Sequence, residues 1–122
     1  MDKRLLGRWG ENLAAEYLRR KGYNIVGMGY RTRQGEIDVI AENKDYVVFV
    51  EVKLRKSSEF AEAREFVTYS KQKKLILAAN SWIAKSETLK QPRFDVIEVY
   101  APEGTETRTP QLNHIENAFV VE

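Results

Sequence analysis

Two runs rich in β-branched residues, EIDVIAE at 36–42 and YVVFVEVKLR at 46–55, constrain the fold of this 122-residue chain more than any other feature. The polar residues Glu42, Asn43, Lys44 and Asp45 join them, so an antiparallel hairpin is the natural reading. Strands with this much Val and Ile are suited to burial. Yet Glu36, Asp38, Glu51 and Lys53 lie within them, where charge is costly without a partner or an ion.

Side chains alternate along a strand, which puts Glu36 and Asp38 on one face and Ile37 and Val39 on the other. The same rule sets Phe49, Glu51 and Lys53 on one face, with Val48, Val50 and Val52 opposite. With the turn centred on Asn43 and Lys44, residue 36 faces residue 51 and residue 38 faces residue 49, so the polar sets meet. Partners across such a pair stand about 5 Å apart and same-face neighbours along a strand about 6.7 Å apart. Three carboxylates that close repel, and each raises the pKa of the others unless a cation compensates. The chain has no cysteine and one histidine, His114, which excludes thiolate sites and His-rich zinc clusters. Oxygen ligands remain, and they suit Mg2+ or Mn2+. Such an ion polarises a phosphodiester, lowers the pKa of a bound water and steadies the leaving oxygen. Lys53 then orients or helps activate that water, or neutralises charge in the transition state. The competing reading of a Glu-x-Lys triplet is an ion-paired solvent face.

The remaining sequence reads as an α/β domain spanning residues 1–122. LLGRWGENLAAEYLRRKGY brings Leu6, Trp9, Leu13, Ala14, Tyr17 and Leu18 onto one broad helical face, and Gly22 supplies the stop. YNIVGMGY, with two glycines, reads as a short strand that bends or bulges. Residues 56–68 have weak periodicity and mix loop with a helical turn. SKQKKLILAANSWIAK places Leu75, Ala78, Ala79, Trp82 and Ile83 on one face of a second helix, whose first turn carries Lys71, Lys73 and Lys74. Lysines there oppose the macrodipole, so helix stability does not account for them. RFDVIEVY and LNHIENAFVV read as strands, giving the order α-β-β-β-α-β-β and a mixed sheet.

Charge is unevenly divided. Residues 1–33 carry eight Lys/Arg against three Asp/Glu, residues 34–52 one against five, and residues 53–74 seven against three. An acidic block between two basic ones suits a site that draws in a polyanion around a few central carboxylates. No run approaches the roughly 18 apolar residues needed to span a bilayer, and MDKRLLGRWGEN lacks the apolar block of a signal peptide. No membrane association and a cytoplasmic location are therefore expected.

The blocks GRWGENLAAEYLRRKGY, GEIDVIA, VVFVEVKLR, SKQKKLILAANSWIA and PRFDVIEV, in that order, resemble the YraN-type family of endonuclease-like proteins. That family is placed in the PD-(D/E)xK, or restriction-endonuclease-like, superfamily, near the Holliday junction resolvases. By this resemblance Asp38 matches the motif aspartate, and Glu51 and Lys53 match the ends of the E-x-K. Glu11 matches a helical acid that completes the metal site with Asp38 and Glu51. Helical position by itself leaves Glu11 and Glu16 equally placed, on opposite borders of the apolar face. Glu36 belongs to the GEID signature as a neighbour of the site, and Lys71 and Gln72 match positions that contact phosphate or stabilise it. The resemblance also implies a homodimer, since symmetric cutting of two strands benefits from a twofold pair.

The function expected is Mg2+- or Mn2+-dependent cleavage of DNA, at branched or processed sites. Asp38, Glu51 and Lys53 are the expected catalytic residues, and Arg55, Lys56, Lys71, Lys73 and Lys74 the expected nucleic-acid contacts. The alternative is a non-catalytic nucleic-acid-binding module on the same scaffold, acting with a partner. Trp9, Tyr17, Trp82 and Phe94 read as packing residues, Arg93 and Asp95 as a structural ion pair, and His114 as an ordinary polar residue on a late strand.

Overall fold

The computed structural model describes residues 2–56 and 67–119. The expected mixture of loop and helical turn at 56–68 falls almost wholly outside them. Helix α1 spans Lys3–Arg20, followed by strands β1 (Asn24–Arg31), β2 (Glu36–Glu42) and β3 (Tyr46–Arg55). Helix α2 spans Tyr69–Ser86, then come β4 (Gln91–Tyr100), a short 3-10 turn at Gly104–Glu106, and β5 (Gln111–Phe119). The α/β architecture is as expected, a five-stranded mixed sheet flanked by two helices. Strands follow one another across the sheet in chain order, and every pair is antiparallel except β3 with β4, whose connection contains α2. Among the described residues no helix is long and apolar enough to cross a membrane.

Both helices have readable ends. Asp2 caps α1 by accepting the Arg4 N–H at 2.8 Å, and Thr68 caps α2 by accepting the Lys71 N–H at 3.2 Å. At the far end of α1, Gly22 takes φ 96°, its N–H bonds the Arg19 carbonyl and the Tyr23 N–H bonds that of Leu18. This is a Schellman closure, which needs a residue tolerant of left-handed backbone after the helix.

The helices cover opposite faces of the sheet. Ala14 and Leu18 of α1 pack with Val39, Ala41, Val48, Val50, Ile97 and Val99. Leu75, Ala78 and Ala79 of α2 pack with Ile37, Ile40, Val47, Phe49, Phe94 and Val96. Gly10 lets α1 settle on β3, since a Cβ there would stand 3.0 Å from the Leu54 side chain. The bulge expected in β1 lies between Ile25 and Gly27.

Three expectations for the hairpin need correction. Asn43 Oδ1 accepts the N–H groups of Asp45 and Tyr46, at 3.0 and 2.8 Å, so Asn43 opens the turn instead of sitting at its centre. The ladder pairs Glu42 with Val47 and Val39 with Val50, a register displaced by two residues from the one expected. A shift of two keeps every side chain on its face while bringing Asp38 level with Glu51. Ile37 and Val39 also do not share a face: Ile37 packs toward α2 and Val39 toward α1. Strand alternation therefore breaks at Asp38, opposite the stretch of β1 where Gly29 has φ 60°.

Candidate metal centre

The pairing of β2 with β3 stops at Val39 and Val50, and beyond it the strands fork. Asp38 fills the fork. Its Oδ2 accepts the Val52 N–H at 2.8 Å, taking the place of a ladder carbonyl. A polar backbone group that a wider gap would leave unpaired is thereby satisfied, and the carboxyl is held in a fixed orientation.

Three elements deliver acids to this point. Glu11 comes from α1, Glu36 and Asp38 from β2, and each offers one carboxylate oxygen so that all three lie within 4.8 Å of one another. Glu51 of β3, only 6% exposed, lies outside that 4.8 Å group, although its charge acts on both Asp38 and Glu11. The fork explains how groups from both faces meet. Val48, Val50, Val52 and Leu54 turn to the α1 side, so Glu51 belongs to the α2 side and reaches Asp38 through the gap. Helix packing also separates the two helical acids. Glu16 is an exposed residue paired with Arg19 at 4.0 Å, whereas Glu11 joins the cluster.

The electrostatics follow from crowding. Burial, then the Glu51 charge, push the Asp38 carboxyl up to about 8, against the opposing pull of the Val52 N–H. Burial and then Glu36 raise Glu11, while a hydrogen bond from Asp38 and the nearby Arg8 pull it down. Lys71 Nζ lies 3.3 Å from Glu51 and is half exposed. Arg31 bonds Glu36 through both Nε and an Nη, at 3.2 and 3.0 Å. These two cations stand at the outer edges of the cluster and leave Asp38 uncompensated at its centre.

The other expected site residues are distributed as follows. Lys53 is half-buried two residues beyond Glu51 and makes no ion pair among the described residues. Arg55 bonds buried Glu98 at 3.2 Å, and Tyr100 and Asn113 bond the same carboxylate, so Arg55 serves the sheet interior. Gln72 donates to the Val67 carbonyl at 2.9 Å and so steadies the entry to α2. Lys56, Lys73 and Lys74 are exposed, with Lys73 over the ring of Tyr69 at 5.0 Å and the Lys74 backbone against Gly35. A Cβ at Gly35 would stand 3.0 Å from the Lys74 carbonyl, so this glycine lets the start of β2 approach α2.

His114 requires a correction. It is a buried member of a polar chain, its Nε2 2.7 Å from Asp95 and its Nδ1 3.1 Å from the Tyr17 hydroxyl. Arg93 completes the chain with two bonds to Asp95, at 2.9 and 2.8 Å, in agreement with the expected structural pair. Burial raises the Asp95 carboxyl, but hydrogen bonds from His114, Arg93 and the Asn117 N–H outweigh it and hold the pKa below the ordinary aspartate range. The chain couples α1 to β4 and β5. Phe94, stacked on Phe119 and tilted against Phe49, and Trp82, edge-on to Tyr30, are packing residues as expected.

Comparison with known proteins bears on the same residues. The family model described as "Uncharacterised protein family UPF0102" matches residues 10–99, which include Glu11, Glu36, Asp38, Glu51, Lys53 and Lys71. A UPF0102 protein of Caldanaerobacter subterraneus subsp. tengcongensis is 45% identical over 121 residues, covering 98% of both chains. Others from Syntrophomonas wolfei and Clostridioides difficile are each 42% identical, covering 95% and 98% of this chain and 98% and 100% of their own. Similarity on this scale runs through the whole hairpin, both helices and β4, and the chain therefore belongs to the UPF0102 family.

Proposed function

We propose that this protein is a divalent-cation-dependent nuclease that hydrolyses DNA phosphodiester bonds. The observation that carries the reading is the Asp38 fork, where Glu11 of α1 meets Glu36 and Asp38 of β2, and where burial and the charge of Glu51 on β3 drive the central carboxyl to a pKa of about 8. A cluster of acids that keeps a proton at neutral pH is short of positive charge. The donors are oxygen only, which fits Mg2+ or Mn2+. The resemblance of GEIDVIA and VVFVEVKLR to PD-(D/E)xK nucleases supports the same assignment.

Glu11, Asp38 and Glu51 would hold the ion, with Glu36 beside them. When bound, the ion supplies Lewis acidity at the scissile phosphate and makes a water acidic enough to attack near neutral pH. The chain's own groups do the rest. Val52 fixes the Asp38 carboxyl by its N–H, so the ligand direction is set before substrate arrives. Lys53, two residues from Glu51 on the same face, orients the water and offsets charge developing on the phosphate. Lys71, now 3.3 Å from Glu51, is placed to turn to a phosphate oxygen.

The test is incubation of purified protein with linear duplex, single-stranded and four-way-junction DNA, with Mg2+ or Mn2+, beside Lys53→Ala and Asp38→Asn. Metal-dependent cleavage by the wild type, reduced at least about a hundredfold by either substitution, is expected. Cleavage indifferent to Lys53→Ala contradicts the assigned mechanism, and binding without cleavage in any metal points to the non-catalytic module.

A further inference from the structure

We infer that the groove between α1 and β1 binds the backbone phosphates of a nucleic-acid strand and leads that strand into the carboxylate cluster. The inference rests on the nuclease reading above and adds a binding wall opposite the α2 lysines. The groove holds about 510 Å3, and its lining includes Arg4, Arg8, Asn12 and Arg31 together with Glu11 and Glu36 of the carboxylate cluster. Arg4 and Arg8 are one helical turn apart on one face of α1, and Glu11 follows on the same side. At 1.5 Å per residue, Arg4 to Glu11 covers about 10 Å, the axial rise of roughly three nucleotides at 3.4 Å each.

Neither arginine side chain is tied down by the fold. Both are exposed, and among the described residues neither makes an ion pair within 4.0 Å. The first turn of α1 contains no acid, so Lys3 and Arg4 sit at the positive end of the helix dipole, where they cost stability. Within the groove three arginines face two glutamates, an excess of one positive charge. A divalent cation held at the adjoining cluster adds two positive charges at the Glu11 end, so the groove becomes most attractive to phosphate when the cluster is loaded. Steric room supports the assignment. Gly7, between the two arginines, and Gly29 opposite both line the groove, and a Cβ on either would meet nothing within 4 Å. Exposed Met28 adds an apolar wall suited to a sugar or base edge.

Gly7 supplies a variant that the fold tolerates. Its position in α1 has open space above it, and replacing an interior helical glycine favours the helix. Gly7→Leu should therefore fill the groove without lowering the unfolding temperature. The experiment measures the affinity of a labelled single-stranded DNA for the full chain in Ca2+ across a salt series, for wild type, Arg4→Ala/Arg8→Ala and Gly7→Leu, alongside cleavage in Mn2+. The double variant is expected to lose about tenfold or more in affinity and to flatten the log–log salt slope by about 1.4, the value for two single-strand phosphate contacts. Gly7→Leu should weaken binding comparably while folding normally. Unchanged affinity and slope in both variants, or no salt-dependent DNA binding by the wild type, overturns the groove. Cleavage that persists in that case leaves the nuclease reading standing, whereas groove-dependent binding with no metal-dependent cleavage overturns that reading alone.

Discussion

Asp38 is at once a structural and a chemical residue. It satisfies the Val52 N–H at the fork and stands among three other acids, and its acid–base behaviour follows from both. Burial first, then Glu51, lift its pKa to about 8 from an ordinary 3.8. The folded chain thus keeps a proton that the unfolded chain has already released. A raised folded pKa contributes stability that is complete below about pH 4 and lost as pH rises through about 8. The unfolding temperature of chelator-treated protein should therefore fall between about pH 5 and pH 9, and Asp38→Asn should flatten that fall. A thermal unfolding series at matched ionic strength checks it, and equal slopes for the two proteins would count against the assignment. Strand alternation grouped Glu36, Asp38, Glu51 and Lys53, and the family resemblance singled out the last three, but the break of alternation at Asp38 was not legible because it depends on how β2 meets its neighbours. Glu11 could not be preferred to Glu16 on the same terms, since the choice depends on how α1 rolls onto the sheet.

At the level of elements, the helix limits and strand identities were legible while the register was not. Gly22 marks the end of α1 by a local rule, and the apolar stripe of α2 is the face that packs. The hairpin register depends on one side chain, Asn43, which captures two backbone N–H groups and moves the turn by one position. The fork is still harder to foresee, because there a side-chain acceptor replaces a backbone one. Seating of α1 carries Glu11 into place and relies on the absence of a Cβ at Gly10. Gly10→Val should force the helix away from Leu54, costing about 1–3 kcal/mol as overpacking does. Urea unfolding measures the loss, and a stability equal to that of wild type would show that the close approach to β3 is dispensable.

Across the whole molecule, contacts distant in sequence decide what each polar residue does. Tyr17 and His114 are 97 positions apart yet hydrogen-bonded, and nothing near either announces it. Arg55 and Lys71 look alike as basic residues flanking the hairpin, but one is bound to buried Glu98 and the other to Glu51. The centre itself exists only because α1, β2 and β3 converge, so the claim that matters most is that their acids hold one divalent ion together. Titration with Mn2+, followed by the electron paramagnetic resonance signal of the free ion, tests it directly. Wild-type protein should take up Mn2+ at a site that Asp38→Asn abolishes and Glu11→Gln weakens by at least the roughly tenfold that losing an outer-shell partner alone costs. Uptake that is absent in the wild type, or undiminished in Asp38→Asn, would contradict the account.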